Sequence, residues 1–91
     1  NKDEIYLDSN KISGLLQLRK WGIGDRIFPI GMNGSKLISD IISDAKLTSQ
    51  EKESVFILHD DKNIHWCVGL TIGKKAIAEE NSKNILKVTI S

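Results

Sequence analysis

Apolar positions along this chain change period several times, and each change marks an element. Ile5 and Leu7 alternate with polar neighbours, which predicts a short strand over Glu4 to Leu7, and Asp8-Ser9-Asn10-Lys11 is a turn cluster. A second strand is expected from Leu15 to Trp21, with Leu16 and Leu18 inward and Gln17, Arg19 and Trp21 outward. Arg26-Ile27-Phe28 is short and β-prone, and Pro29, which has no N–H to give, ends any central ladder there. The period then becomes helical: Leu37, Ile38, Ile41, Ile42 and Ala45 form one stripe, with Ser39, Asp40, Ser43 and Asp44 on the other side. Thr48-Ser49-Gln50-Glu51 is a capping box opening a short helix through Lys52 or Glu53.

The second half returns to strands. Val55-Phe56-Ile57-Leu58 is continuously apolar, as expected of a strand buried on both faces. Asp60-Asp61-Lys62-Asn63 makes a polar hairpin loop, after which Ile64, Trp66 and Val68 alternate onto one face. Gly69 and Gly73 bracket Leu70-Thr71-Ile72, a strand end or bulge. Lys74 to Ala78 is ambiguous, Glu79 to Asn84 is a polar loop, and Ile85 to Ile90 alternates strictly as a final strand. The sum is six or seven short strands with two central helices: an α+β domain with a small, mostly antiparallel sheet or sandwich.

The stretch from Gly24 to Leu47 organises the rest. It holds the only proline, three glycines (Gly24, Gly31 and Gly34) and the clearest helix. Gly31-Met32-Asn33-Gly34 reads as a flexible loop feeding that helix, with Asn33 or Ser35 capping it and Lys36 in its first turn. Backbone N–H groups at such an end attract anions, phosphates among them. The alternative is an ordinary cap with Lys36 as a solvated surface residue.

Composition narrows the function classes. Ninety-one residues make one domain with a modest core, too small for a deep cofactor site. Lys plus Arg is 13 and Asp plus Glu 12, so net charge alone makes no case for nucleic acid. The charges are uneven, however: Arg19, Lys20, Arg26 and Lys36 share a stretch whose only acid is Asp25. Cys67 is a lone cysteine, so no internal disulfide forms and a reducing cytoplasm is expected; no apolar run reaches membrane-spanning length. The chain begins at Asn1 and not Met, as expected of a piece of something longer. His59, Asp60, His65 and Cys67 hint at catalysis or metal binding, but no standard ligand spacing occurs. They read more simply as a buried thiol and surface or edge histidines. No catalytic or metal site is assigned. Trp66 shares an apolar face and is expected in the core, whereas Trp21 beside Arg19 and Lys20 is the better candidate for stacking on RNA.

Leu18-Arg19-Lys20-Trp21, then Gly24-Asp25-Arg26-Ile27, Pro29, Gly31-Met32, Gly34-Ser35-Lys36, Ser39-Asp40 and Asp44-x-Lys46-Leu47 form a long motif. With Ile64-x-Trp66-x-Val68-Gly69 and the closing Ile85-Leu86, it closely resembles the C-terminal domain of bacterial tRNA(Ile)-lysidine synthase over about residues 14 to 91. The resemblance implies a parent ligase that uses ATP to adenylate the wobble cytidine of tRNA(Ile) and then joins lysine to it. The parent's N-terminal catalytic domain, with its SGGxDS loop, is absent from this sequence. The fragment is therefore expected to need no cofactor and to catalyse nothing by itself. The implied role for residues 1 to 91 is a C-terminal tRNA-binding domain that contacts the acceptor stem, in the cytoplasm, alongside the catalytic domain of the same chain. The implied fold is similar to a domain of the phenylalanyl-tRNA synthetase β subunit. Arg19, Lys20, Arg26, Lys36 and Lys46 match basic family positions and are the expected RNA contacts. Leu37 and Thr71 stand where many relatives are basic, which removes positive charge here. The alternative reading is a protein–protein interaction or homodimerisation module without RNA binding of its own.

Overall fold

The computed structural model describes residues 3–90. Its strands are β1 (Glu4–Asp8), β2 (Gln17–Lys20), β3 (Arg26–Ile27), β4 (Lys36–Leu37), β5 (Phe56–His59), β6 (Ile64–Cys67), β7 (Thr71–Ile72) and β8 (Ile85–Thr89). Two short helices, α1 (Ile38–Asp44) and α2 (Ser49–Glu53), lie between β4 and β5. The main sheet runs β2-β5-β6-β3-β4, with β7 also paired to β6. A separate ribbon pairs β1 with β8, the two ends of the described chain. Every pairing is antiparallel except β3 with β6, so the sheet is mixed and mostly antiparallel.

Each face of the main sheet buries its own cluster. On one, Ile38, Ile41 and Ile42 of α1 pack on Ile27, Ile57, Ile64 and Cys67. The helical spacing of those isoleucines is what aims them at the sheet. Ala45, expected in the same stripe, is exposed at the C-cap. On the other face, Ile5 and Leu7 of the ribbon cover Leu58, Trp66 and the fully buried Ala76. The architecture is therefore helix, sheet and ribbon in three layers. Among the described residues no helix is long and apolar enough to cross a membrane.

Several expectations change with tertiary context. Lys36 and Leu37 are extended and pair with β3, so the helix begins at Ile38 and not in the turn that Asn33 or Ser35 would cap. Leu37 is its N-cap and gives no side-chain hydrogen bond; neither Asn33 nor Ser35 caps it. The Ile38 N–H instead donates to the Asp25 carbonyl at 2.9 Å. Strand pairing with Arg26 and Ile27 outcompetes one more turn of helix. The alternation of β6 also breaks. A register shift in the β5–β6 pairing puts Ile64 and Cys67 on the helix face, and Trp66 with Val68 on the ribbon face. A β-bulge at His65 accounts for this, because one extra residue reverses the parity of every side chain beyond it. Trp66 is in the core as expected.

At the sheet's edge Leu18 is exposed and not inward, and Phe56 is exposed where a strand buried on both faces was expected. Trp21 reverses in the other direction. It packs half-buried against the helix-side cluster, and its Nε1–H donates to the Lys52 carbonyl at 2.8 Å. The capping box of α2 forms as its sequence dictates: Thr48 Oγ1 accepts from the Glu51 N–H while the Glu51 carboxylate accepts from the Thr48 N–H. The hydrogen bond from that N–H holds the Glu51 carboxyl below its ordinary pKa.

Candidate functional site

The five expected basic contacts do not form one free cluster. Arg19, on the edge strand β2, closes a two-pronged bridge on Asp25, with Nη1 to Oδ2 at 2.9 Å and Nη2 to Oδ1 at 3.0 Å. Asp25 Oδ2 also accepts from the Gly22 N–H at 2.7 Å. The Arg19 fork, against the opposing effect of burial and with help from Gly22, lowers the Asp25 carboxyl pKa, and the same bond raises that of Arg19. Arg19 and Asp25 thus act first as the staple of the Gly22–Asp25 turn. Lys36 faces α1 and pairs with Asp44 at 2.6 Å. That bridge is solvent-exposed, so it is worth about 0–1 kcal/mol and yields readily to a stronger anion.

Arg26 is held without losing its charge. Its Nε–H donates to Ser35 Oγ at 2.8 Å, and Nη2 reaches the Ser35 carbonyl at 3.4 Å, bracing the β3–β4 hairpin. Lys20 and Lys46 make no ion pair among the described residues. Lys46 lies just past α1 with φ of 54°, the left-handed conformation that ends many helices.

The fold adds cations whose sequence positions gave no hint. Segment 72–74 runs beside 28–30, with the Lys74 N–H donating to the Phe28 carbonyl at 2.8 Å and the Ile30 N–H to the Ile72 carbonyl at 3.1 Å. Gly73 allows this close approach, since a Cβ there would sit 3.1 Å from the His65 and Ile64 carbonyl oxygens, tighter than an ordinary contact. As a result Lys74 Nζ donates to the Met32 carbonyl at 2.6 Å, and Lys75 Nζ sits 4.3 Å from the centre of the Phe28 ring. Arg26 and Lys74 therefore brace the 31–35 loop from two sides. Lys36 and Asp44 border a groove floored by Pro29, Ile41 and Leu70.

The histidines resolve differently from expectation. His65 is fully buried, not at an edge, and its Nε2–H donates to Asp60 Oδ2 at 2.8 Å. The donor role follows from the carboxylate, which only accepts. Asp60 accepts three further bonds: from Ser13 N–H at 2.9 Å on Oδ2, and from Lys62 and Asn63 N–H at 2.8 Å each on Oδ1. Burial alone would push the Asp60 carboxyl upward. The bonds from His65, Ser13, Asn63 and Lys62 outweigh it and hold the group well below the ordinary carboxylate range. This buried hub ties the β5–β6 hairpin to the lead-in of β2. Its nearest sequence signal was the Asp-x-x-Asn turn, in which an aspartate accepts from backbone N–H groups two and three residues on. Among the described residues His65 Nδ1 has no hydrogen-bond partner.

Cys67 is fully buried, and desolvation pushes its thiol pKa up to about 11. A thiol so protonated is a packing residue, not a nucleophile. Among the described residues no group of three His, Cys, Asp or Glu side chains is arranged to hold a metal ion.

No family model matches the chain. Among curated proteins it is similar to tRNA(Ile)-lysidine synthase of Clostridium tetani, 39% identical over 85 residues, which is 93% of this chain and 18% of that protein. It is similarly 39% identical over 88 residues to tRNA(Ile)-lysidine synthase of Parabacteroides distasonis, covering 97% of this chain and 20% of that protein. The chain thus spans about a fifth of the length of the curated relatives it matches. Among solved structures it superposes on one described as the TILS C-terminal domain with a TM-score of 0.81 and 23% identity, covering 99% of this chain and 72% of that one. The resemblance carried by the Gly24–Lys46 motif is therefore upheld twice: the chain is homologous to part of the tRNA(Ile)-lysidine synthases, and its fold is that of their C-terminal domain.

Proposed function

We propose that this domain is the tRNA-holding accessory module of an ATP-dependent tRNA(Ile)-lysidine synthase, and that it grips the acceptor stem while a separate catalytic domain modifies the wobble cytidine. The observation that carries this reading is the homology to named tRNA(Ile)-lysidine synthases across nearly the whole chain. The site chemistry supports it. Among the described residues Arg26, Lys20 and Lys46 have no acidic partner, and Lys36 is paired through one exposed bridge. Such cations suit phosphate oxygens, whereas a rigid apolar dimer face would leave them stranded. Because the net charge is only +1, binding by the isolated domain is weak and gains strength from tethering to the rest of the enzyme. ATP belongs to the catalytic domain, and this module does no chemistry of its own.

The test is fluorescence anisotropy of the 91-residue chain with an acceptor-stem minihelix across a salt series, for wild type and Lys36→Glu. The expected result is affinity that falls with salt and falls further in the variant. No binding by wild type at low salt, together with self-association, would replace this reading by the dimerisation module.

A further inference from the structure

A polar cleft of about 360 Å³ opens between the Gly24–Arg26 turn and the His59–Asn63 hairpin. Each wall is held by a carboxylate that already accepts hydrogen bonds from the fold. Asp25 locks the turn, with both oxygens on the Arg19 fork and one also on the Gly22 N–H. Asp60 locks the hairpin, with its four accepted hydrogen bonds. The oxygens of both acids are already engaged: Asp25 is paired with Arg19, whereas Asp60 keeps its negative charge among the donors that hold it. The third acid on the lining, Asp61, lays its carboxylate against Gly14, where a Cβ would collide with it.

Of the three cations on the lining, Arg19 is taken by Asp25, whereas Arg26 and Lys62 have no acidic partner among the described residues. Arg26 spends Nε and Nη2 on Ser35, a neutral partner, and its Nη1 makes no hydrogen bond among the described residues. Lys62 is exposed at the hairpin tip and belongs to none of the described ion pairs. Its own backbone N–H is tied to Asp60, so its position is set while its side chain is not. Arg26 on the turn side and Lys62 on the hairpin side thus each line the cleft without an acidic partner among the described residues, on walls that Asp25 and Asp60 already hold. Such preorganisation lowers the cost of ligand ordering.

We propose that this cleft is a phosphate subsite, with Arg26 donating from one wall and Lys62 from the other. The proposal rests on the tRNA-binding reading for the source of the phosphate, and it adds Lys62 to the interface. His59, whose Nδ1–H donates to the Asp60 carbonyl at 2.9 Å, lines the cleft in a fixed orientation and serves as a reporter there.

The test combines NMR and binding on the 91-residue chain. His59 ring and Asn63 amide resonances are followed during titration with an acceptor-stem minihelix and, separately, with inorganic phosphate. Anisotropy salt series are run for wild type, Lys62→Ala and Lys83→Ala, the last an exposed lysine before β8 and off the cleft lining. The expected result is movement of both reporters and a loss of about threefold to tenfold in RNA affinity for Lys62→Ala alone. The slope of log affinity against log salt should fall by about one in that variant. Unchanged thermal unfolding establishes that the variant is folded. If RNA binds but the reporters stay still and the two variants behave alike, the subsite is overturned and the tRNA reading stands. If inorganic phosphate moves the reporters while RNA does not bind, the subsite stands and the tRNA reading falls. If neither ligand acts, both fall.

Discussion

Replacing Asp60 with asparagine isolates what the buried hub contributes. The side chain keeps its shape, and its amide oxygen can still accept from the Lys62 and Asn63 N–H groups at Oδ1. The amide NH2 then takes the place of Oδ2, where Ser13 N–H and His65 Nε2 converge. His65 can switch tautomer and accept, because its Nδ1 has no partner to lose. Ser13 cannot: its N–H meets another donor and is left unsatisfied, which costs about 1–3 kcal/mol. Two surviving bonds also change from charge-assisted to neutral, adding about 1 kcal/mol. The expected destabilisation is about 2–4 kcal/mol, a large share of the roughly 5–15 kcal/mol that holds a small domain together. Urea unfolding followed by fluorescence of the buried Trp66 measures it.

Titration supplies an internal check. The folded Asp60 pKa is depressed, so its contribution is complete above the unfolded carboxylate value of about 4 and is lost as pH falls toward the folded value. The asparagine mimics the protonated acid. The stability gap between wild type and Asp60→Asn should therefore be full at pH 7 and should narrow progressively below about pH 4. A gap under about 0.5 kcal/mol at neutral pH, the size of an ordinary surface substitution, would refute the hub. A gap that persists unchanged at pH 2.5 would refute its electrostatic origin.

Two other outcomes follow from the packing. Ile42→Ala removes a buried side chain from the α1–sheet contact and should cost about 2–5 kcal/mol in the same urea assay. Cys67, buried and with its thiol pushed up to about 11, should resist alkylation by iodoacetamide at pH 8 in the native state and react fully in 6–8 M urea, a range of roughly routine denaturing strength; prompt native labelling would show the β6 face to be open.

Much of the fold was legible in the chain. Three isoleucines at helical spacing announced α1, Thr48 and Glu51 announced the cap of α2, and alternation announced β1 and β8. These signals are local, because side-chain period and capping depend on residues within a turn or two. The Gly24–Lys46 motif also carried the family resemblance, since it is contiguous.

What stayed hidden depends on partners far along the chain. Lys36 reads as helix until β3 is beside it, and then pairing with Ile27 makes it strand and sends its side chain to Asp44. Trp21 reads as surface until Lys52 offers a carbonyl to its ring nitrogen. The bulge at His65 leaves no period to detect, because the alternation fails only where the β5–β6 register shifts. Above all, charge is distributed along the sequence but is neutralised in space. Only the tertiary structure decides that Arg19 is consumed by Asp25, that Asp60 is consumed by Ser13, Lys62, Asn63 and His65, and that Arg26 and Lys62 line one cleft without an acidic partner among the described residues. The physical reason is range: hydrophobic period is set by neighbours in sequence, whereas an ion's availability is set by whichever donors and acceptors folding brings within about 3 Å of it.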